Sequence, residues 1–261
     1  MKVITSRENP RIKQAAGLKN KKNRSREGLF LIEGRKMIAE ALDFSPPILQ
    51  SIFIVDKLAP EYEAWAEKYP HLEWYVINEK LMQHICDTET PQGIAATAVL
   101  PAFTVEDLMA EDRLLILLDG VADPGNVGTI IRTAWAFEAG GVLLTKGSAD
   151  PFSPKVVRSS MGGILHLPVV CGVEEEDLYK LKARGYIFMG TDARGDISYT
   201  DVDYKGRKVI VIGSEAHGIS LTVKNLCRAF FTIPINPKAD SLNAAIACAI
   251  ILSRAAAARN A

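Results

Sequence analysis

Leu114-Leu115-Ile116-Leu117-Leu118-Asp119-Gly120-Val121-Ala122-Asp123-Pro124-Gly125-Asn126-Val127-Gly128-Thr129-Ile130-Ile131-Arg132-Thr133-Ala134 is the stretch that decides the fold. Five apolar residues read as a buried strand. A loop of Asp, Gly and Pro follows, and the pattern then changes to the helical spacing of Thr129–Phe137. The same succession recurs downstream. Strand-like runs lie at Leu114–Leu118, Val142–Leu144, Leu165–Val170, Tyr186–Met189, Val209–Ile212 and Phe230–Ile235. Helical patterns separate most of them, the clearest after Thr129–Phe137 being Asp177–Ala183. An Ala- and Ile-rich helix from about Leu242 to Ala257 ends the series. Alternating β and α elements predict an α/β fold with a parallel sheet covered by helices.

The first hundred residues form a smaller α/β unit. Leu29–Ile32 reads as a strand, and Glu33-Gly34 opens a helix carrying Met37, Ile38, Ala41 and Leu42 on one face. Ser45-Pro46-Pro47 is its expected stop. Strands are predicted at Ser51–Val55, Leu72–Val76 and Ile94–Val99, with a helix containing Trp65 between the first two. Pro101–Glu111 reads as the connection, so the expected domains are residues 1–105 and 106–261.

Composition narrows the class. The 261 residues are 48% hydrophobic and 24% charged, enough apolar surface for a sizeable core. No apolar run approaches the roughly 20 residues that a membrane span requires, and the first residues lack a signal-peptide stretch. A cytoplasmic protein with no membrane partner is expected. Cys86, Cys171, Cys227 and Cys248 are scattered without metal-ligand spacing, so they read as reduced structural thiols and no metal site is expected. Lys and Arg balance Asp and Glu over the whole chain, yet Met1–Lys36 carries 11 basic residues against 3 acidic ones. That asymmetry fits either an arm or face that meets a polyanion such as RNA or a solvated, partly frayed terminus.

Ligands of an open parallel sheet gather outside the carboxyl ends of the strands. The residues just past each predicted strand are therefore candidates: Asp119 to Gly128, Gly190-Thr191-Asp192, Gly213 to Gly218, and Asn236-Pro237 with Asp240-Ser241-Leu242-Asn243. Each has a bland alternative. Asp123-Pro124-Gly125-Asn126 is also a turn with a helix cap, Ser241 or Asn243 also a cap for the last helix, and His217 a loop residue. Asp119 suits either loop amides or chemistry. Glu215 stands at the ligand edge among glycines that let backbone approach closely. A phosphate loop of the G-x-x-x-x-G-K-[ST] type is absent, as is a G-x-G-x-x-G dinucleotide fingerprint. The residues alone imply a nucleotide-like ligand held by strand-end loops.

Three ordered motifs carry a resemblance. Leu118 to Ala134, Ile212-Gly213-Ser214-Glu215-Ala216-His217-Gly218-Ile219-Ser220, and Ile233-Pro234-Ile235 with Asp240-Ser241-Leu242-Asn243 resemble the SpoU (TrmH) family of RNA ribose methyltransferases, as does Ser153 to Gly162. The match spans roughly Arg113 to Ala258. Phe30-Leu31-Ile32-Glu33-Gly34 and Thr90-Pro91-Gln92-Gly93 are similar to the family's RNA-binding accessory domain. The sequence departs at Ala216, where the family usually has glycine.

The resemblance implies a C-terminal catalytic domain with a trefoil knot, a homodimer with sites shared between subunits, and S-adenosylmethionine as cofactor. Thr191, Gly213, Ile233, Leu242 and Asn243 would contact the cofactor. Asn126, Arg132, Glu215, Ser241 and Asn243 would be the catalytic set, and Arg7, Arg11, Lys13, Lys19 and Arg132 would meet the RNA. The expected reaction is methylation of a ribose 2′-hydroxyl, most readily in 23S ribosomal RNA. Methylation of transfer RNA, or of a base, is the alternative. Asn126 and Arg132 are six residues apart, about 240° around a helix. They serve one site only if Asn126 precedes the helix or if two subunits contribute.

Overall fold

In a computed structural model of the protein, residues 1–44, 47–110 and 112–259 are described. The Ser45-Pro46 helix stop and Glu111 lie outside the described residues. The chain divides into two units, Met1–Pro101 with Phe152–Arg158 and Ala102–Pro151 with Ser159–Ala261.

The first unit is a five-stranded mixed sheet. Its strands are β1 (Lys2–Val3), β2 (Leu29–Glu33), β3 (Leu49–Val55), β4 (Glu73–Ile77) and β5 (Ile94–Val99), in the order β1-β4-β3-β5-β2. Helices α1 (Pro10–Gly17), α2 (Lys21–Glu27), α3 (Arg35–Leu42), α4 (Glu63–Lys68) and α5 (Glu79–Ile85) complete it. Neither an extended arm nor a frayed end is found at the N-terminus. Asn9 caps α1 by accepting from the Arg11 N–H at 2.9 Å, with Pro10 at the first helical position. Asn20 caps α2 in the same way, and Gly28 closes it at φ 65°. Ile12, Ala15 and Leu18 are 0–1% exposed. Arg24 is buried too, donating to the carbonyls of Leu18 at 2.6 Å and Lys19 at 2.9 Å. One of the basic charges is thus a helix-end bond.

The second unit is a seven-stranded sheet with every pairing parallel. Its strands are β6 (Leu115–Asp119), β7 (Gly141–Thr145), β8 (Val169–Val173), β9 (Ile187–Thr191), β10 (Ile197–Ser198), β11 (Lys208–Gly213) and β12 (Cys227–Thr232). The order is β10-β12-β9-β11-β6-β7-β8. Both faces of such a sheet are covered, which explains unbroken apolar runs such as Leu115–Leu118 and Val209–Ile212, all 0–2% exposed. The α/β class and the parallel sheet follow the sequence expectation. From β6 the chain adds β7 and β8 on one side, while β11, β9, β12 and β10 lie on the other. At that reversal β11 pairs with β6 in a register that sets Gly213 opposite Asp119.

Helices α6 (Val105–Leu108), α7 (Pro124–Ala136), α8 (Pro154–Ser159), α9 (Gly163–His166), α10 (Glu175–Ala183), α11 (Leu221–Lys224) and α12 (Ala244–Arg259) connect the strands. Three expectations need correction. Leu165 and His166 are in or next to α9, and Pro168 delays β8 until Val169. The strand expected at Phe230–Ile235 ends at Thr232, leaving Ile233 to Ile235 as loop. Helix α7 starts five residues before Thr129, because Asp123 accepts from the Asn126 N–H at 2.8 Å and Pro124 takes the first position.

No disulfide links the four cysteines, and burial pushes the thiols of Cys86, Cys227 and Cys248 up to about 12. These three stay protonated at neutral pH. No helix among the described residues is long and apolar enough to cross a membrane. Ile12→Ala is expected to cost the first unit about 2–5 kcal/mol, read by urea unfolding, where the same change in a solvated arm costs nothing.

Candidate functional site

Asp119 ends β6 and is 7% exposed. Its Oδ2 accepts from the Ser220 N–H at 2.7 Å, and its Oδ1 accepts from the Thr145 hydroxyl at 2.9 Å. Thr145 in turn accepts from the Gly120 N–H at 3.1 Å. One buried carboxylate therefore holds the ends of β6 and β7 to the segment after β11. Of the two roles open to Asp119, it takes the one of bonding loop amides.

The segment after β11 is a tight turn. Ser214 and Gly218 exchange backbone bonds at 3.1 and 2.9 Å, and the Ser214 hydroxyl accepts from the His217 N–H at 3.1 Å. The left-handed residue of this turn is Gly218, at φ 65°. Ala216 has no positive φ, so the departure from glycine at this position costs the turn nothing. Gly213 is different. A Cβ there would stand 2.3 Å from the Gly218 carbonyl carbon and 2.5 Å from the Ile219 nitrogen. Only glycine lets the two backbone segments pass this closely.

Asn126 lies in the first turn of α7. Its Nδ2 donates to Glu215 Oε1, and its Oδ1 accepts from Asn243 Nδ2 at 2.9 Å. Asn243 Oδ1 accepts from the Ala245 and Ile246 N–H groups at 3.0 and 3.2 Å, so Asn243, not Ser241, caps α12. Three residues expected in the catalytic set thus form one hydrogen-bonded chain.

Beside that chain is a cavity of about 290 Å³. Thr191, Gly213, Ile233 and Leu242, four of the five expected cofactor contacts, line it, and so do Glu215 and Ser241. Its apolar wall includes Ile212, Ile235 and Ile251. Asn126, Asn243 and Arg132 are not on the wall. Thr191 donates its hydroxyl to the Val211 carbonyl at 2.9 Å, tying β9 to β11. Asp192 and His217, named from sequence only as members of strand-end loops, also line the cavity, and so does Lys224, which sequence reasoning passed over. An isolated Lys on a short helix carries no spacing signal.

Arg132 is exposed on α7 and makes no hydrogen bond or ion pair among the described residues. Since Asn126 is helical, the first of the two alternatives, that it precedes the helix, falls, and the two residues are offset by about 240° around the helix axis, or about 120° the short way.

In the first unit the expected RNA contacts differ among themselves. Arg11 pairs with Glu73 at 2.8 Å, Lys13 pairs with Glu8, and Lys19 donates to the His84 carbonyl at 2.8 Å. Arg7 is exposed. The stretches Phe30–Gly34 and Thr90–Gly93 meet, since a Cβ at Gly34 would stand 2.9 Å from Gln92 Oε1; next to them that oxygen accepts from the Arg35 N–H at 3.3 Å, and Glu33 accepts from the Asp87 N–H and the Thr88 hydroxyl, both at 2.8 Å.

Residues 113–253 match the SpoU rRNA Methylase family, and residues 9–96 match an MRM3-like substrate binding domain. The chain is 34% identical over 252 residues to the 23S rRNA (guanosine(2553)-2′-O)-methyltransferase RlmP of Bacillus subtilis, covering 97% of this chain and 98% of that one. It is similar to the crystal structure of the SpoU methyltransferase AviRb from Streptomyces viridochromogenes in complex with AdoMet, at 30% identity and a TM-score of 0.87, covering 97% and 99% of the two chains. An AdoMet-bound rRNA methyltransferase from Sinorhizobium meliloti matches at 31% identity and a TM-score of 0.86, covering 97% of each chain.

Gly213→Ala is expected to destabilise the second unit by about 3 kcal/mol, the upper end for overpacking, because backbone cannot move aside as a side chain can. Ala216→Gly is expected to shift stability by well under about 1 kcal/mol. Urea unfolding of the two variants tests the close approach at Gly213.

Proposed function

The chain belongs to the SpoU rRNA methylase family, and from that premise we propose that it transfers the methyl group of S-adenosylmethionine to a ribose 2′-hydroxyl of 23S ribosomal RNA. The observation that carries this reading is the cavity at the carboxyl ends of β9, β11 and β12, with the Asn243–Asn126–Glu215 chain beside it. Its isoleucine-rich wall suits a purine ring, and Thr191, Ser241 and the backbone at Gly213 suit the polar edges of a nucleoside. When bound, S-adenosylmethionine supplies a methyl group already activated on sulfonium sulfur. What remains for the protein is to align the 2′-hydroxyl and to favour loss of its proton.

Alignment is worth several of the roughly 7–11 kcal/mol available from proximity. In this reading Asn126 and Asn243 fix Glu215, while Ser241 and the Glu215 carboxylate polarise the hydroxyl. Arg132 clamps the adjacent phosphate or stabilises the developing alkoxide. A guanidinium is a poor base at neutral pH, but it is a planar two-pronged donor.

Arg132 also argues for two copies. On α7 it points away from Asn126, and it does not line its own chain's cavity. From Ala244 to Leu252 helix α12 is apolar on all sides, with Ile246 52% exposed, and Trp135 of α7 is 39% exposed. A helix that is apolar all round calls for a covering surface. A homodimer covers both and brings one subunit's Arg132 to the other's cavity. The trefoil knot belongs to the same reading. Its support is the close backbone passage at Gly213 and at Gly195, where a Cβ would stand 2.6 Å from the Phe231 carbonyl carbon. In the first unit Arg7, Arg11, Lys13 and Lys19 meet the RNA, in the cytoplasm.

Incubation with S-adenosylmethionine tritiated on the methyl group is expected to label 23S RNA. After digestion to nucleosides the label is expected in a 2′-O-methylnucleoside; label on a base overturns the ribose assignment. Arg132→Ala is expected to abolish turnover while leaving melting temperature and cofactor affinity nearly unchanged. Arg132→Lys is expected to recover little at any pH. Strong recovery of the lysine variant at alkaline pH would show that the side chain acts as a base.

A further inference from the structure

Lys224 is half-buried at the end of α11 and lines the cavity. It is the one lysine or arginine among the described residues on that wall. No ion-pair partner of Lys224 is found among the described residues. The acidic groups on the wall are Asp192 and Glu215. Asp192 Oδ1 accepts from the Arg194 N–H at 2.8 Å, and Glu215 is bonded to Asn126. Lys224 is also held in place. Its N–H donates to the Ser220 carbonyl at 2.8 Å, and the Ser220 N–H is anchored on buried Asp119 at 2.7 Å. The lysine therefore stands on the same support that shapes the cavity.

S-adenosylmethionine carries a sulfonium, an ammonium and one carboxylate. Two wall carboxylates favour the cationic groups and repel the anionic one, so the methionine carboxylate needs a counter-charge. We propose that the Lys224 ammonium holds the α-carboxylate of the cofactor's methionine moiety, fixing the chain that carries the sulfonium. A lysine suits a single carboxylate oxygen, because it is a point charge on a flexible stem. The inference rests on the cofactor reading above.

Calorimetric titration of the wild type, Lys224→Met and Lys224→Arg with two ligands tests it. One ligand is S-adenosylhomocysteine; the other is 5′-methylthioadenosine, which keeps the adenosine and the thioether but lacks the carboxylate. Lys224→Met is expected to weaken S-adenosylhomocysteine roughly 10- to 30-fold, as for a hydrogen bond to a charged group. It is expected to change 5′-methylthioadenosine less than twofold, and Lys224→Arg is expected to restore most of the loss. Unchanged S-adenosylhomocysteine affinity in Lys224→Met overturns the proposal, as does equal weakening of both ligands. Reduced 23S RNA affinity with cofactor affinity intact also overturns it and makes Lys224 a phosphate contact. If the wild type binds neither ligand, the cofactor reading itself fails, and the lysine assignment with it.

Discussion

The site depends on one carboxamide. Asn126 takes a hydrogen bond from Asn243 and gives one to Glu215. The direction of both bonds is forced from each end. Glu215 as a carboxylate only accepts, and Asn243 has committed its own oxygen to the first N–H groups of α12. Only a side chain with a donor and an acceptor on one carbon fits between them. Through it α7, the turn after β11 and the start of α12 are held in one geometry, although 117 residues separate Asn126 from Asn243. A charged neighbour strengthens the Glu215 end of this chain.

Asp119 supports that arrangement from below. Its carboxylate is spent on the Ser220 amide and the Thr145 hydroxyl, which keeps the turn at Ser214–Gly218 against the end of β6. The pairing of β11 with β6 then places Gly213 where the chain passes back over it. Buried Asp119 is thus structural, while Glu215 and Ser241 stay exposed at the cavity edge.

The sheet of the second unit was legible because a strand buried on both faces must be a run of apolar residues, and Leu115–Leu118 and Val209–Ile212 are such runs. Asn126, Glu215 and Asn243 were legible as polar residues just past strand ends. Helix α7 was started too late because Pro124 and Gly125 are turn residues in general, and only the Asp123 cap makes them helical here. Helices α1 and α2 were hidden by their charge. Three apolar anchors, Ile12, Ala15 and Leu18, do the packing while lysines and arginines dominate the composition. Lys224 gave no signal, since its importance comes from which wall of the fold it reaches.

The cavity beside the Asn126 hydrogen-bond chain, proposed as the cofactor site of an RNA ribose methyltransferase, should hold a nucleoside. A crystal structure of the wild-type protein grown with S-adenosylhomocysteine and no other nucleotide is the most direct measurement. The account predicts density for the adenosine against Ile233 and Leu242, beside Gly213, with the sulfur on the Glu215 side. A nucleoside bound elsewhere on the second unit, with this cavity empty, would contradict it.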